Sequence, residues 1–265
     1  MCAMIKTEFI KLKRYSILLI GLLGMVCSPF LQLFSQMIMT EEAKNHHFDF
    51  AALVEDTLWG NATIFLPVIL TLVGGYIINR EYTDDTLKNI LTVPLSFRKF
   101  LMGKLATIGL LALCFGVSGF GMTVLVGVCA GLGGMTGAVF LRALLQMAAL
   151  AVCIYVIVLP VITICSRRQG LFMGGAVVSF LFGYCSMFFK SGLLRDLYPF
   201  LAGLTLIGFD SRSWINSDEP GSLPLGILVM GGMALLSAVL LLAARPADGR
   251  KNVRSGKKKT GRRRR

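Results

Sequence analysis

The chain has 265 residues, of which 55% are hydrophobic and only 15% charged, against about a quarter charged in an ordinary soluble domain. Its 27 lysines and arginines outnumber 14 acidic residues and give a net charge of +13, but the excess is concentrated in a few segments and does not point to nucleic acid. These figures exclude a soluble enzyme and leave a bilayer-embedded protein with basic edges.

A spanning helix needs about 20 mainly apolar residues, because each adds about 1.5 Å toward a hydrocarbon core roughly 30 Å thick. Six segments meet that requirement: residues 15–37, 58–79, 105–130, 141–165, 170–189 and 223–244. The first follows Lys6, Lys11, Lys13 and Arg14. It is too long for the apolar region of a secretory leader and lacks an A-x-A site after it, so it is read as a span. The next loop is acidic through Glu41, Glu42, Asp49, Glu55 and Asp56. His46 and His47 also lie there, but adjacent histidines diverge on a helix and supply no closed metal geometry; no metal is expected.

Residues 79–105 form the most informative loop. Thr83 and Asp84 give a helix-start signal, Asp84 and Asp85 suit the positive end of a helix dipole, and Leu87, Ile90 and Leu91 make an i, i+3, i+4 stripe that Pro94 ends. The pattern predicts a short amphipathic helix at the membrane surface. Asp84 and Asp85 are neighbours that do not face each other on a helix, so they are not a catalytic dyad.

Farther on, Gly127 with Gly131, and Gly170 with Gly174, have the GxxxG spacing that lets membrane helices approach closely. The seven cysteines are odd in number and lack CxxC spacing, so they are read as small core residues rather than a disulfide or zinc framework. Residues 197–209 are apolar yet too short to span, and predict a re-entrant or interfacial segment. With the N-terminus cytoplasmic, 22 of the 27 basic residues fall on the cytoplasmic side, as the positive-inside rule requires. Both termini are thus placed inside, with residues 1–244 as the membrane domain and 245–265 as a basic disordered tail near anionic lipid.

The loop resembles the permease subunits of type 2 ABC exporters, matching their pattern at Glu81, Asp85, Thr86, Leu87, Ile90, Leu91, Pro94, Leu95, Ser96 and Lys104. The opening MIKTEFIKLKRY is similar to that family's amphipathic N-terminal helix, and the compact six-span layout resembles the bacitracin and lantibiotic resistance branch. The resemblance implies an all-α membrane fold with six transmembrane helices, a cytoplasmic coupling helix and a re-entrant outer segment between spans five and six. It also implies that Glu81, Asp85, Thr86, Leu87, Ile90, Leu91 and Pro94 transmit motion from a separate ABC ATPase to a pair of permeases, identical or paralogous. The chain has no G-x-x-x-x-G-K-S/T phosphate loop of its own, so no nucleotide or other cofactor is expected on it. The rival expectation is a non-transporting scaffold or sensor whose basic tail binds lipid.

Overall fold

The computed structural model describes residues 8, 16–39, 47–83, 97–167 and 169–244. Every regular element among them is helical. Helix α1, Ile17–Ile38, carries Pro29 in its interior. A longer rod follows: α2, Phe50–Gly60, a π-helical turn, Asn61–Phe65, and α3, Leu66–Thr83. Two long helices come next, α4, Phe97–Cys129, and α5, Gly137–Cys165. Helix α6, Phe172–Tyr184, tightens into a 3-10 turn, Cys185–Phe188. Three short helices, α7 (Gly192–Leu197), α8 (Pro199–Leu206) and α9 (Arg212–Ile215), lead to α10, Leu223–Leu242.

Five helices are long and apolar enough to cross a membrane: Ile17–Ile38, Phe50–Thr83, Phe97–Cys129, Gly137–Cys165 and Leu223–Leu242. The fifth expected span, 170–189, is instead a shorter apolar helix, Phe172–Phe188. Gly170, at φ +81°, places a left-handed turn before it, a conformation suited to glycine. The second span also differs from expectation. It begins eight residues earlier, at Phe50, because the Asp49 carboxylate accepts a hydrogen bond from the Ala52 N–H at 2.9 Å and caps the helix. Glu55 and Asp56, read as loop acids, are therefore helical. Likewise Asn79 to Thr83 complete α3 rather than opening the loop.

Contacts between helix ends fix the order of the bundle. At one end the Tyr82 hydroxyl donates to the Ser166 carbonyl at 2.7 Å, the Gly170 N–H to Asn79 Oδ1 at 2.7 Å, and Arg167 Nη2 to the Leu240 carbonyl at 3.3 Å. These bonds gather the ends of α3, α5 and α10 with the start of α6. At the opposite end the Phe50 N–H reaches the Gly133 carbonyl at 3.0 Å, and Gln146 Nε2 reaches the Ile207 carbonyl at 3.2 Å.

The rod from Phe50 to Thr83 is the most buried of the candidate spans, whereas α1 and α10 are mostly exposed. Leu53, Leu58, Leu70, Ile108 and Phe115 lie in the core, while Leu23, Val177, Leu181, Ile227 and Leu235 point outward. An apolar exterior is what a hydrocarbon solvent permits. For the same reason Cys27, Cys114 and Cys129 are exposed rather than core residues: lipid accepts a small apolar side chain as readily as the interior does. Helix α6 crosses the π-helical turn very closely, since a Cβ built on Gly183 would stand 2.1 Å from the Thr63 carbonyl oxygen.

The apolar stretch expected at 197–209 is not one helix. Tyr198 is extended, with ψ 119°, and Pro199 begins α8, consistent with the bias of a residue before proline against helical geometry. Phe200, Leu201, Ala202 and Leu204 are buried.

Candidate coupling site

Helix α3 ends on Glu81 to Thr83, and α4 carries Lys104 two turns inside its start. The end of α3 and the start of α4 lie side by side. There the Lys104 ammonium donates to Glu81 Oε1 at 2.9 Å and to Glu8 Oε2 at 2.8 Å, with the Ile77 carbonyl at 3.4 Å. The Phe100 ring centroid lies 5.3 Å from Nζ, within range of a cation–π contact. Lys104 is 1% exposed, and both glutamates are buried.

A lysine is almost never this buried unless paired. Here three oxygens saturate its three N–H donors. Removing one partner of such a cluster is far costlier than forming it is favourable, because a buried charge is left uncompensated. The result is a stiff clamp joining the opening segment, the end of α3 and the start of α4.

Glu81 and Lys104 are the ends of the motif singled out in the sequence, and the structure brings them into direct contact. Asp85, Thr86, Leu87, Ile90, Leu91, Pro94, Leu95 and Ser96 lie outside the described residues, as do the neighbours of Glu8 in the opening segment and the tail from residue 245. Thr83 is the last residue of α3, and its hydroxyl donates to the Arg80 carbonyl at 2.9 Å. Glu8 was missed. The available signal was its position as the one acid among Lys6, Lys11, Lys13 and Arg14.

The small-residue pairs occupy different settings. A Cβ on Gly127 would meet Phe50 Cδ2 at 2.8 Å, whereas Gly131 has φ +66° beyond the end of α4 with open space around it. Gly170 and Gly174 also face open space. Among the described residues no group of three His, Cys, Asp or Glu side chains is arranged to hold a metal.

Beside the central rod, α1, α3 and α6 enclose an apolar groove of about 560 Å³, lined by Gly24, Phe65, Ile69, Leu72, Ala176 and Phe180. Just beyond it are two buried polar residues, Ser28 and Asn61, whose Oγ and Oδ1 have no hydrogen-bond partner. Thr71 and Ser179, by contrast, bond to each other at 2.8 Å across α3 and α6.

Residues 4–186 match the ABC-2 family transporter protein domain, a stretch that includes Glu8, Glu81 and Lys104 and covers more than half of the chain. The chain belongs to the ABC-2 transporter family. It is therefore a multi-pass membrane permease, a transport subunit rather than an enzyme, of a kind that normally works with an ATP-binding subunit. No curated protein gives a significant match to the chain.

Proposed function

We propose that this permease belongs to an ATP-driven exporter of peptide-like or amphipathic compounds, of the bacitracin or lantibiotic class, in a bacterial plasma membrane. Two permeases, identical or paralogous, pair with two cytoplasmic ATPase subunits, and both termini of this chain face the cytoplasm. Six crossings, with Phe172–Phe188 as the fifth, bring the tail to that side, and residues 197–209 form the outer re-entrant segment. The segment Asp85, Thr86, Leu87, Ile90, Leu91 and Pro94 docks on the ATPase.

The observation that carries this reading is the Lys104 cluster. Loop motion transmits force only if the base of the loop is rigid, and the contacts of Lys104 with Glu8 and Glu81 clamp that base to two helices and the opening segment. The apolar groove between α1, α3 and α6 supports a hydrophobic cargo taken from the bilayer, for which no polar binding pocket is needed.

Susceptibility tests this directly. Cells producing the chain with its ATPase should survive higher concentrations of bacitracin or a lantibiotic than cells lacking the chain. Equal susceptibility to both compounds would remove that substrate class from the proposal.

A further inference from the structure

Toward the end of the bundle opposite Lys104, α1 meets α2 along a polar seam. Ser28, Gln32 and Gln36 recur at every fourth residue of α1 and so share one face. Facing them are Asp56 and Gly60 of α2. Gln36 donates a hydrogen bond to the Asp56 carboxylate, and a Cβ built on Gly60 would stand 2.6 Å from Gln32 Nε2 and 3.7 Å from Ser28 Oγ. Asn61 follows at the same level, its Nδ2 at 3.8 Å and the Met25 sulfur at 3.5 Å from a Cβ built on Gly119.

This seam holds acceptors without donors. Among the described residues Ser28 Oγ and Asn61 Oδ1 have no hydrogen-bond partner, on residues 0% and 3% exposed. Neighbouring buried hydroxyls behave differently: Thr57, Thr63 and Thr123 donate to the carbonyls of Leu53, Trp59 and Gly119, one turn back on their own helices. Pro29 adds a further acceptor, since it has no N–H to give the Met25 carbonyl. Asp56 has no ion-pair partner among the described residues, and the charge that acts on it is that of Glu55, of the same sign. Arg142 lines a small cavity with Glu55 and not with Asp56. An unmet buried acceptor is destabilising, and a carboxylate within a spanning helix marks a functional position unless a partner neutralises it. Together they call for a ligand that donates hydrogen bonds and carries positive charge.

The apolar groove between α1, α3 and α6 begins where the seam ends. Gly24 of its lining is one turn from Ser28, and Ile64 is three residues from Asn61. From Asp56 to Phe65 of the groove the rod advances about 13 Å, at ~1.5 Å per residue. Charge, hydrogen-bond acceptors and apolar surface thus follow one another along one line.

We propose that seam and groove form one site for an amphiphile built as amine, amide and hydrocarbon in that order: its ammonium pairs with Asp56, its amide N–H meets the acceptors of Ser28 and Asn61, and its chain lies in the groove. That such a compound is exported cargo rests on the function proposed above.

The two tryptophans provide the readout, because Trp59 lies between Asp56 and Asn61 on the rod and stacks on Trp214 at 5.5 Å. The full chain in phosphatidylcholine nanodiscs at pH 7 is titrated with glycine dodecylamide and with glycine dodecyl ester, which has the same charge and chain but no amide N–H. The amide should shift the emission saturably, and the ester should bind about fivefold more weakly, as the loss of one hydrogen bond implies. Asn61→Leu, which removes an acceptor without a partner, should bring the two probes closer together. Asp56→Asn should weaken both by about tenfold or more, the effect of losing a charged hydrogen-bond partner. Glu55→Gln removes the same charge from the adjacent, exposed position and should leave both unchanged. No saturable shift, amide and ester bound alike by the wild type, or Glu55→Gln weakening binding as much as Asp56→Asn would overturn the proposal. The assay uses neither ATPase nor resistance, so its failure leaves the susceptibility test standing, and equal susceptibility there leaves the binding result standing.

Discussion

Lys104 Nζ stands 2.9 Å from Glu81 Oε1 across 23 residues of chain, so one buried ionic contact joins the end of α3 to the start of α4. Glu8 Oε2, at 2.8 Å from the same ammonium, ties the opening segment to that point. Lys104→Met removes the ammonium that donates to both buried carboxylates and should destabilise the protein by about 3–5 kcal/mol. Adding Glu8→Gln and Glu81→Gln removes the two carboxylates that lost the ammonium and should restore part of the loss. Thermal unfolding in detergent micelles checks both. A triple variant less stable than Lys104→Met alone would show that the carboxylates' other contacts outweigh the one to lysine.

Close packing at the π-helical turn gives a second test. Gly183→Ala forces a methyl group onto the Thr63 carbonyl, 2.1 Å away, and should cost about 1–3 kcal/mol through overpacking. Gly174→Ala meets nothing within 4 Å and should leave the stability of the single chain equal or slightly higher, glycine being unfavourable inside a helix. Because that change is silent within the chain, a loss of permease pairing in Gly174→Ala would assign the Gly170–Gly174 face to the contact between permeases. Size-exclusion with light scattering reads the outcome.

The buried polar groups should divide into two kinds. Asn61→Leu removes an Oδ1 that has no partner and should be neutral or stabilising, because an apolar group of similar size replaces an unsatisfied acceptor. Thr71→Val strands the Ser179 hydroxyl now bonded at 2.8 Å, and should cost about 1–3 kcal/mol. Unfolding midpoints of the two variants in the same detergent should move in different directions from each other.

The surface ion pair in which Arg212 Nη2 lies 2.6 Å from Asp210 Oδ2 gives a test by pH. The Asp210 carboxyl is lowered from 3.8 to about 2, first by its side-chain hydrogen bond with Arg212. A carboxyl depressed in the folded state contributes stability above its unfolded value and loses it as pH falls through the folded one. The contribution is therefore complete above 3.8 and gone below about 2. The pair is exposed, so the effect on global stability is small. Trp214 emission should shift across that window in the wild type and not in Asp210→Asn.

Five of the six expected spans coincide with helices long and apolar enough to cross a membrane, because about 20 apolar residues have few other uses, but their ends were not legible. Glu55 and Asp56 look like loop residues until Asp49 is seen capping the helix that contains them. The apolar length of 197–209 is readable, and so is its interruption at Pro199, since proline favours the first turn of a helix and biases the residue before it away from helix. Glu81 and Lys104 were found through a pattern of residue types, but their contact could not be read from spacing. Glu8 belongs to the same cluster from nearly 100 residues away, and a lone acid in a basic segment reads equally well as a solvated residue. The burial of Arg195 had no local signal either: Lys190, Arg195 and Asp196 form an ordinary charged stretch until the three loop acceptors are assembled around one of them.

Copurification with the ATPase tests the central claim most directly. The account predicts that the wild-type chain retains a Walker-motif ATPase through detergent purification. Leu87→Ala with Ile90→Ala should lose it, because truncating buried interface anchors typically costs about 2 kcal/mol or more, while the variant chain inserts normally with the Lys104 cluster intact. A double variant that holds its ATPase as firmly as the wild type and confers the same resistance would contradict the assignment of this loop as the coupling element.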